Sequence, residues 1–234
     1  MKILAIDTTS DMLCIGLRGG GRDMEYDLLA GKRHAAFCLL TVERILAGQG
    51  WQAREIDYFA CGLGPGSFTG IRTGVATVKG MAWAVKKPVV GVPSLDLLAR
   101  NALEARESFD EEPARPGGRV VDVTDARRGL LYACVYRREG NSLRRISPYM
   151  LLPPRDLLKR VKDGSIILGD GARLLQEVLR GSGRRARILD KDYWRPQSRH
   201  LLALAAEKIA AGEICDALRL KPVYLYPKEC QVRK

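Results

Sequence analysis

The chain has 234 residues, 46% of them hydrophobic and 28% charged, so it is long enough for one large domain or two small lobes and too apolar to be wholly disordered. Lys and Arg exceed Asp and Glu by 12, and residues 103–234 carry +9 of that excess against +3 for residues 1–102. No apolar run approaches the ~20 residues of a membrane span. Asp7 interrupts the first apolar stretch, where a signal peptide would continue. The six cysteines form no C-x-x-C pair, which favours reduced thiols in a cytoplasmic protein.

The first hundred residues alternate strands and helices in a manner typical of an α/β fold. The strands are short apolar runs bounded by turn residues, and the helices have apolar residues three and four positions apart. The order is three strands, helix, strand, helix, strand, helix, which predicts a mixed sheet. The predicted ranges are Lys2–Asp7, Met12–Leu17, Asp23–Leu29, Arg33–Ala47, Tyr58–Leu63, Phe68–Val85, Val89–Val92 and Ser94–Arg106.

A second lobe is predicted after Glu104–Gly118, a charged segment punctuated by Pro and Gly. An offset of 118 residues brings the opening pattern back at residues 120–135 and aligns Asp7 with Asp125, each before a turn. The sequence therefore predicts a duplicated two-lobe α/β fold with mixed five-stranded sheets, divided into residues 1–102 and 103–234. The later predicted elements are strand Arg144–Leu151, helix Asp156–Arg160, strand Ile166–Gly169, helix Leu174–Leu179, strand Ile188–Leu189 and helix Arg199–Ala211.

The densest motif is residues 62–74, GLGPGSFTGIRTG, which lies where a strand gives way to a helix and where backbone N–H groups can bind phosphate. A Rossmann motif that starts at Gly64 needs glycine where Thr69 stands, and a P-loop needs Ser or Thr after Lys79. Ser67 lacks the flanking glycines of a nucleophile elbow. With only two histidines in the chain, neither a catalytic residue nor a metal site is predicted.

Two predicted helices carry more small or apolar surface than one buried face requires. The helix from Phe68 has two stripes of small residues, Gly66, Gly70, Gly74 and Ala76, Gly80, Ala84. The helix from Arg33 has a predicted core stripe, Ala35, Cys38, Leu39, Val42, Ile45 and Leu46, and a second apolar strip, Ala36, Phe37, Leu40 and Ala47. One side of each helix must face the chain's own sheet, and the second side indicates either burial all round or an interface.

Two further features leave alternatives open. The turn Asp7–Ser10 places a carboxylate and hydroxyls at a strand end, where they could hold hydrated Mg²⁺ and a phosphate or simply form a hairpin turn. The basic residues Arg184, Arg185 and Arg187 could attract a polyanion or form an ordinary solvated surface.

At these residues the chain resembles the TsaB (YeaZ) family of the bacterial tRNA threonylcarbamoyladenosine system. The resemblance spans essentially the whole chain and implies the actin-like (ASKHA, ribonuclease-H-like) fold of sugar kinases and chaperone ATPase lobes. The matching stretches are Lys2–Ser10 (KILAIDTTS), Cys61–Ala82 (CGLGPGSFTGIRTGVATVKGMA), Pro88–Leu98 (PVVGVPSLDLL), Asp125-Ala126-Arg127 before Leu131-Tyr132, and Lys221–Leu225 (KPVYL).

The resemblance implies a non-catalytic role. The catalytic relative, TsaD, has a H-x-x-x-H metal pair after Gly-Val-Asn; here Ser94 and Leu98 follow Gly-Val-Pro, and neither can replace imidazole. The chain is expected to be a scaffold required for threonylcarbamoyl transfer to the adenosine 3′ of the anticodon in tRNAs that read ANN codons, and to dimerise with a TsaD-like catalytic subunit through its first two helices. The implied interface residues are His34, Phe37, Leu40, Arg44, Phe68, Gly70, Arg72, Thr73, Gly74 and Thr77.

The resemblance also implies other ligands and partners. A TsaE-like ATPase is the expected second partner, tRNA is expected to bind through the complex, and the chain alone is expected to be a homodimer without membrane contact. No cofactor of its own is expected, although ATP or ADP near the interface with the partner stays open. The candidate nucleotide-binding residues are Asp7, Thr8, Thr9, Ser10 and Asp125.

The sequence leaves three alternative functions open. Asp7, Asp125 and the turn Gly169–Ala172 favour an independent actin-like ATPase or small-molecule kinase, and the lack of a clear second phosphate loop disfavours it. A glycoprotease needs a metal or an activated nucleophile, which the sequence does not supply. A homodimeric structural module without a tRNA role is distinguished by nucleoside analysis of tRNA after deletion of the gene.

Overall fold

The computed structural model describes residues 1–31, 33–105 and 118–226, which form two compact units. Unit 1 consists of Met1–Leu97 and Pro196–Val223, and unit 2 consists of the described parts of Leu98–Arg195 and Tyr224–Lys234. Most of the predicted boundary segment Glu104–Gly118 lies outside the described residues. Within the described ranges, the helices are too short or too polar to cross a membrane.

Each unit contains one mixed β-sheet with helices packed on it. The strands are β1 Ile3–Asp7, β2 Met12–Gly19, β3 Arg22–Leu29, β4 Tyr58–Gly62, β5 Val89–Val92, β6 Arg119–Arg127, β7 Leu130–Glu139, β8 Ser142–Arg145, β9 Met150–Leu152, β10 Ser165–Leu168 and β11 Ala186–Ile188. The helices are α1 His34–Gly48, α2 Phe68–Ala84, α3 Ser94–Ala99, α4 Pro154–Leu158, α5 Ala172–Arg180 and α6 Ser198–Ala210.

The two sheets share one topology, which confirms the predicted duplicated two-lobe, actin-like α/β fold. The strand order is β3-β2-β1-β4-β5 in sheet 1 and β8-β7-β6-β10-β11 in sheet 2. In both sheets the first three strands are antiparallel neighbours joined by short turns, and the last two run parallel to the first. A helical connection precedes each parallel strand, as parallel pairing requires.

Sheet 2 differs from the prediction of five strands because it has six. The predicted single strand Arg144–Leu151 is divided into β8 and β9, which both pair with β7. Between them the Ser147 hydroxyl accepts a hydrogen bond from the Val135 amide at 2.9 Å, and Pro148 has no amide to continue a ladder. The third helix is also shorter than predicted: α3 ends at Ala99 and continues as a 3₁₀ turn, Arg100–Leu103.

Helices cover both faces of sheet 1. Helices α1 and α2 pack on the face that carries Leu4 and Ile6, and α6 packs on the face that carries Ile3 and Ala5. The predicted division at residue 102 assigned α6 to the second lobe, whereas the structure places it in unit 1. The reason is close packing: Leu202 fits against Gly16, where an added Cβ would lie 2.6 Å from its Cγ.

Candidate functional site

The start of α2 is fastened to the end of β1 by a set of short hydrogen bonds. The Thr8 hydroxyl donates to the Gly70 carbonyl at 2.7 Å, and the Ser67 amide donates to the Thr9 carbonyl at 2.7 Å. Ser67 also caps α2, because its hydroxyl accepts from the Gly70 amide. The glycine-rich segment therefore serves to bring α2 close to the strand end.

Asp7 lies at the centre of this arrangement and is fully buried. Its Oδ1 accepts from the Thr9 amide at 2.9 Å, and its Oδ2 accepts from the Ser94 hydroxyl at 3.2 Å. The Thr9 hydroxyl lies 3.0 Å from Oδ1, and the Ser94 hydroxyl also accepts from the Gly64 amide at 3.0 Å. Gly62 lies against the carboxylate so closely that an added Cβ would be 1.7 Å from Oδ2.

The surroundings of Asp7 act on its pKa in opposite directions. Burial is the largest effect and raises the pKa, because it disfavours the charged carboxylate. The hydrogen bonds from Thr9 and Ser94 lower it, and the net result is a pKa above the ordinary value of an aspartate. Asp7 is thus held in a closed polar cluster.

This geometry favours the hairpin-turn interpretation of residues 7–10. The Asp7 carboxylate is enclosed by donors from its own chain, and Thr8 and Thr9 are buried with it. The Ser10 hydroxyl accepts from the Met12 amide at 3.0 Å, as in an ordinary turn. In the ranges that the structure covers, no three His, Cys, Asp or Glu side chains are grouped so as to hold a metal ion.

Asp125, the predicted counterpart of Asp7, has a different environment in unit 2. It is half-buried at a bulge of β6, accepts from the Arg127 amide at 2.7 Å and forms an ion pair with the Arg127 side chain at 3.2 Å. The Asp170 carboxylate accepts from the Asp125 amide at 2.8 Å. The repeat in sequence therefore does not give the two aspartates equivalent surroundings.

One small-residue stripe of α2 is buried and the other is exposed. An added Cβ would lie 1.9 Å from the Thr8 carbonyl oxygen at Gly70 and 2.5 Å from the Thr8 Oγ1 at Gly74. The placement of Gly70 and Gly74 inside a partner contact is therefore corrected: both are buried against their own strand end. In the other stripe Ala76 and Ala84 are exposed, and a Cβ at Gly80 would meet nothing within 4 Å.

Helix α1 also divides into a buried and an exposed face, although not along the predicted lines. Its exposed apolar residues include Leu39, 57% exposed, and Leu40, 42% exposed. Ala35 and Leu39 were predicted in the core and are exposed instead; His34 and Thr41 are buried in addition to the other predicted core residues. The predicted strip is thus real but displaced, with Leu39 added to it.

The predicted interface residues consequently fall into three groups. Leu40, Arg44 and Arg72 are exposed; Phe37, Phe68, Thr73 and Thr77 are half-buried; and His34, Gly70 and Gly74 are buried. His34 is committed to its own chain, since its Nε2 lies 3.1 Å from the Met12 carbonyl. Arg72 stacks over the Phe68 ring at 3.8 Å, which keeps both side chains near the start of α2.

Sequence reasoning missed Trp83 and the role of Ser94. Trp83 is 65% exposed near the end of α2, beside Gly80 and Ala84. The sequence signal was its place between Gly80 and Ala84, two small residues of a helix that the sequence already predicts to have a second, unburied face. Ser94 was treated as a helix N-cap, and its hydrogen bonds to Asp7 and Gly64 need the folded sheet to be recognised.

Comparisons with known proteins identify relatives in tRNA threonylcarbamoyladenosine biosynthesis. The family model "TsaD: tRNA N6-adenosine threonylcarbamoyltransferase" matches residues 28–178. The chain is 30% identical over 228 residues to the tRNA threonylcarbamoyladenosine biosynthesis protein TsaB of Bacillus subtilis, covering 94% of this chain and 95% of the relative. It is 28% identical over 229 residues to TsaB of Escherichia coli, covering 96% of this chain and 94% of the relative.

Solved structures agree with the sequence comparisons. YeaZ from Pseudomonas aeruginosa superposes with a TM-score of 0.79 at 28% identity, and the match covers 96% of this chain and 99% of that one. A second structure from that organism, described as similar to peptidase YeaZ, gives the same TM-score at 27% identity.

Proposed function

This chain belongs to the TsaB (YeaZ) family of tRNA threonylcarbamoyladenosine biosynthesis proteins, and we propose that it acts there as the non-catalytic partner of a TsaD-like threonylcarbamoyltransferase. The partner transfers the threonylcarbamoyl group to the adenosine 3′ of the anticodon in tRNAs that read ANN codons. This chain contributes a docking surface on unit 1, formed by the exposed faces of α1 and α2.

The observation that carries the proposal is the second face of these helices. Leu39 and Leu40 on α1 and Trp83 on α2 are exposed large apolar side chains, and α2 also exposes the small residues Ala76 and Gly80. Helices α1 and α2 contact each other, so the exposed faces belong to neighbouring elements. Adjacent apolar exposure of this kind marks an interaction site on a soluble protein, and a small-residue stripe allows a partner helix to approach closely.

The non-catalytic role is supported by the residues at the position of the TsaD histidine pair. Ser94 is 9% exposed, and its hydroxyl is engaged by Asp7, Thr9 and the Gly64 amide. Leu98, one helical turn later, is buried. This position therefore holds a structural hydrogen-bond cluster instead of transition-metal ligands.

The remaining ligands bind to the complex and not to this chain alone. Residues 7–9 do not fit a magnesium–phosphate site, because the Asp7 carboxylate is buried among donors from Thr9 and Ser94. Any ATP or ADP then binds at the interface with the partner or on a TsaE-like ATPase. Without partners, the same apolar faces of α1 and α2 pair two copies of the chain as a homodimer. Assembly and tRNA modification take place in the cytoplasm.

Two exposed leucines of unit 1 provide a matched test of the docking surface. Leu39→Asp on α1 should weaken binding to the TsaD-like chain of the same genome at least about tenfold, or about 1.4 kcal/mol, because a carboxylate would lose its water at the interface. Leu29→Asp on β3 is the control, since Leu29 is 54% exposed and Leu39 is 57% exposed. Binding is measured by titration and size-exclusion chromatography.

A cellular assay tests the function itself. Deletion of the gene should abolish threonylcarbamoyladenosine in bulk tRNA, and wild type and Leu29→Asp should restore it while Leu39→Asp should restore it poorly. Equal partner affinity for both variants would place the docking surface elsewhere on the chain. Unchanged tRNA nucleosides in the deletion strain would refute the proposed function.

A further inference from the structure

Three arginines lie directly opposite one another across the first three strands of sheet 2. Arg119 on β6 pairs with Arg137 on β7, which pairs with Arg144 on β8. Directly opposed residues of antiparallel strands project from the same face, and like charges in this position destabilise a sheet. Such a row is unfavourable for folding alone and points to an anionic ligand.

Two loops extend this row with further basic residues. The Arg119 side chain donates to the Arg160 carbonyl at 3.0 Å, which places the loop after α4 beside the row. The Arg184 side chain donates to the Val161 carbonyl, and the Gly164 amide donates to the Arg185 carbonyl at 2.7 Å, so the segment before β11 adjoins the same loop. We call this set the arginine arc; its members are Arg119, Arg137, Arg144, Arg160, Lys162, Arg184 and Arg185.

The charge of the arc is largely uncompensated by its own segments. Four acidic residues lie on these segments. Glu139 pairs with Arg144 at 2.6 Å, and Asp163 accepts from the Arg185 backbone amide at 3.0 Å. On β6, Asp125 pairs with Arg127, which is outside the arc, and Asp122 is fully buried. The carbonyl partners of Arg119 and Arg184 are neutral, so they fix the side chains without cancelling their charge. Six of the seven arc residues are exposed, and Arg119 is half-buried.

We propose that the arginine arc binds the phosphate backbone of the substrate tRNA, an inference that rests on the proposed function. Neighbouring strands lie about 4.8 Å apart, so the row alone spans on the order of 10 Å, and the loops extend it further. Guanidinium groups form bidentate bonds with phosphate, and a line of them suits a chain of phosphodiesters better than a single small anion. The arc supplies affinity without reading the sequence.

The test reverses three exposed charges in the arc and three outside it. The arc variant is Arg137→Glu, Arg160→Glu and Arg185→Glu; the control variant is Arg22→Glu, Arg54→Glu and Lys191→Glu, all at exposed positions. Both are assembled with the TsaD-like partner and titrated with an unmodified tRNA transcript that reads an ANN codon. Partner binding and melting temperature are measured in parallel.

The arc variant should bind tRNA at least about tenfold more weakly at 0.1 M salt. The slope of log affinity against log salt should become less steep by about two to three, as expected for three lost phosphate contacts. The control variant should stay close to wild type in tRNA affinity and in salt slope. Partner binding should be the same for wild type, the arc variant and the control variant.

Unchanged tRNA affinity and salt slope in the arc variant, with partner binding intact, would overturn the arc and leave the proposed function standing. Loss of partner binding in the arc variant alone would identify the arc as a protein interface and would also overturn the inference. Failure of the wild-type chain to bind the TsaD-like partner would refute the proposed function instead.

Discussion

Two glycines of α2 should respond to the same substitution with opposite signs. Gly70 and Gly80 both lie within the helix, but a Cβ at Gly70 would be 1.9 Å from the Thr8 carbonyl oxygen, and a Cβ at Gly80 would meet nothing within 4 Å. Gly74 is intermediate, because the nearest atom to its Cβ is the Thr8 Oγ1 at 2.5 Å. Alanine at each position therefore measures how closely α2 approaches the strand end.

The expected magnitudes follow from helix propensity and packing. Glycine in a helix costs about 1 kcal/mol relative to alanine, so Gly80→Ala should stabilise the chain by about that amount. At Gly70 the same gain is opposed by overpacking against a backbone atom, which costs about 1–3 kcal/mol or more when the backbone must move. The shift would also break the 2.7 Å bond from Thr8 to the Gly70 carbonyl, so we expect a net loss of about 2 kcal/mol.

Differential scanning calorimetry of the isolated chain provides the assay. For a chain of this size 1 kcal/mol corresponds to about 2–4 °C, so Gly80→Ala should raise the Tm by that much and Gly70→Ala should lower it by about 4–8 °C. Gly74→Ala should fall between the two, since a threonine side chain can move more readily than a backbone carbonyl. A Tm change of the same sign at Gly70 and Gly80 would refute this account of the two stripes.

Two further predictions concern Asp7. Burial raises its pKa, so the folded state binds the proton more tightly than the unfolded state. The stability that the protonated carboxyl contributes is present below pH ~4, the ordinary aspartate pKa, and is lost as pH rises through the raised pKa of the folded state. Asp7→Asn, which cannot ionise, should therefore gain stability relative to wild type as pH rises from about 3 to neutral in urea denaturation, and a constant difference over that whole range would contradict this. Because the Asp7 carboxylate is enclosed by Thr9 and Ser94, the isolated chain should hydrolyse ATP no faster than a buffer blank, and turnover abolished by Asp7→Ala would favour the kinase interpretation.

The sequence predicted elements well where one periodicity extends over many residues. Helix α2 was predicted as Phe68–Val85 and is Phe68–Ala84, and β3 was predicted as Asp23–Leu29 and is Arg22–Leu29. The prediction failed where tertiary packing decides the outcome. An amphipathic pattern shows that α6 has a buried face, but it does not show which sheet that face meets; in the structure Leu201, Leu202 and Ala205 pack on sheet 1, with Leu202 against Gly16.

For the candidate site, the sequence identified the helices but not their orientation. Two small-residue stripes on α2 are equivalent in the sequence, and the rotation that buries Gly70 is set by Thr8, which lies about sixty residues earlier in the chain. The displacement of Leu39 from core to surface has a similar origin: the buried face of α1 is turned toward His34 and Thr41, which leaves Leu39 outside it. Spacing alone cannot fix the rotation of a helix when both of its strips are apolar.

Ser94 connects the end of sheet 1 to the loop that leads into α2. Ser94 begins the helix after β5, and the parallel strands β1, β4 and β5 end at the same edge of sheet 1, where Asp7 and Gly62 also lie. In this chain the hydroxyl is used within the edge itself, joining Asp7 to the Gly64 amide and helping to fasten the loop that leads into α2. The residues that close this edge therefore also set the orientation of α2, and with it the exposed face that we propose for partner binding.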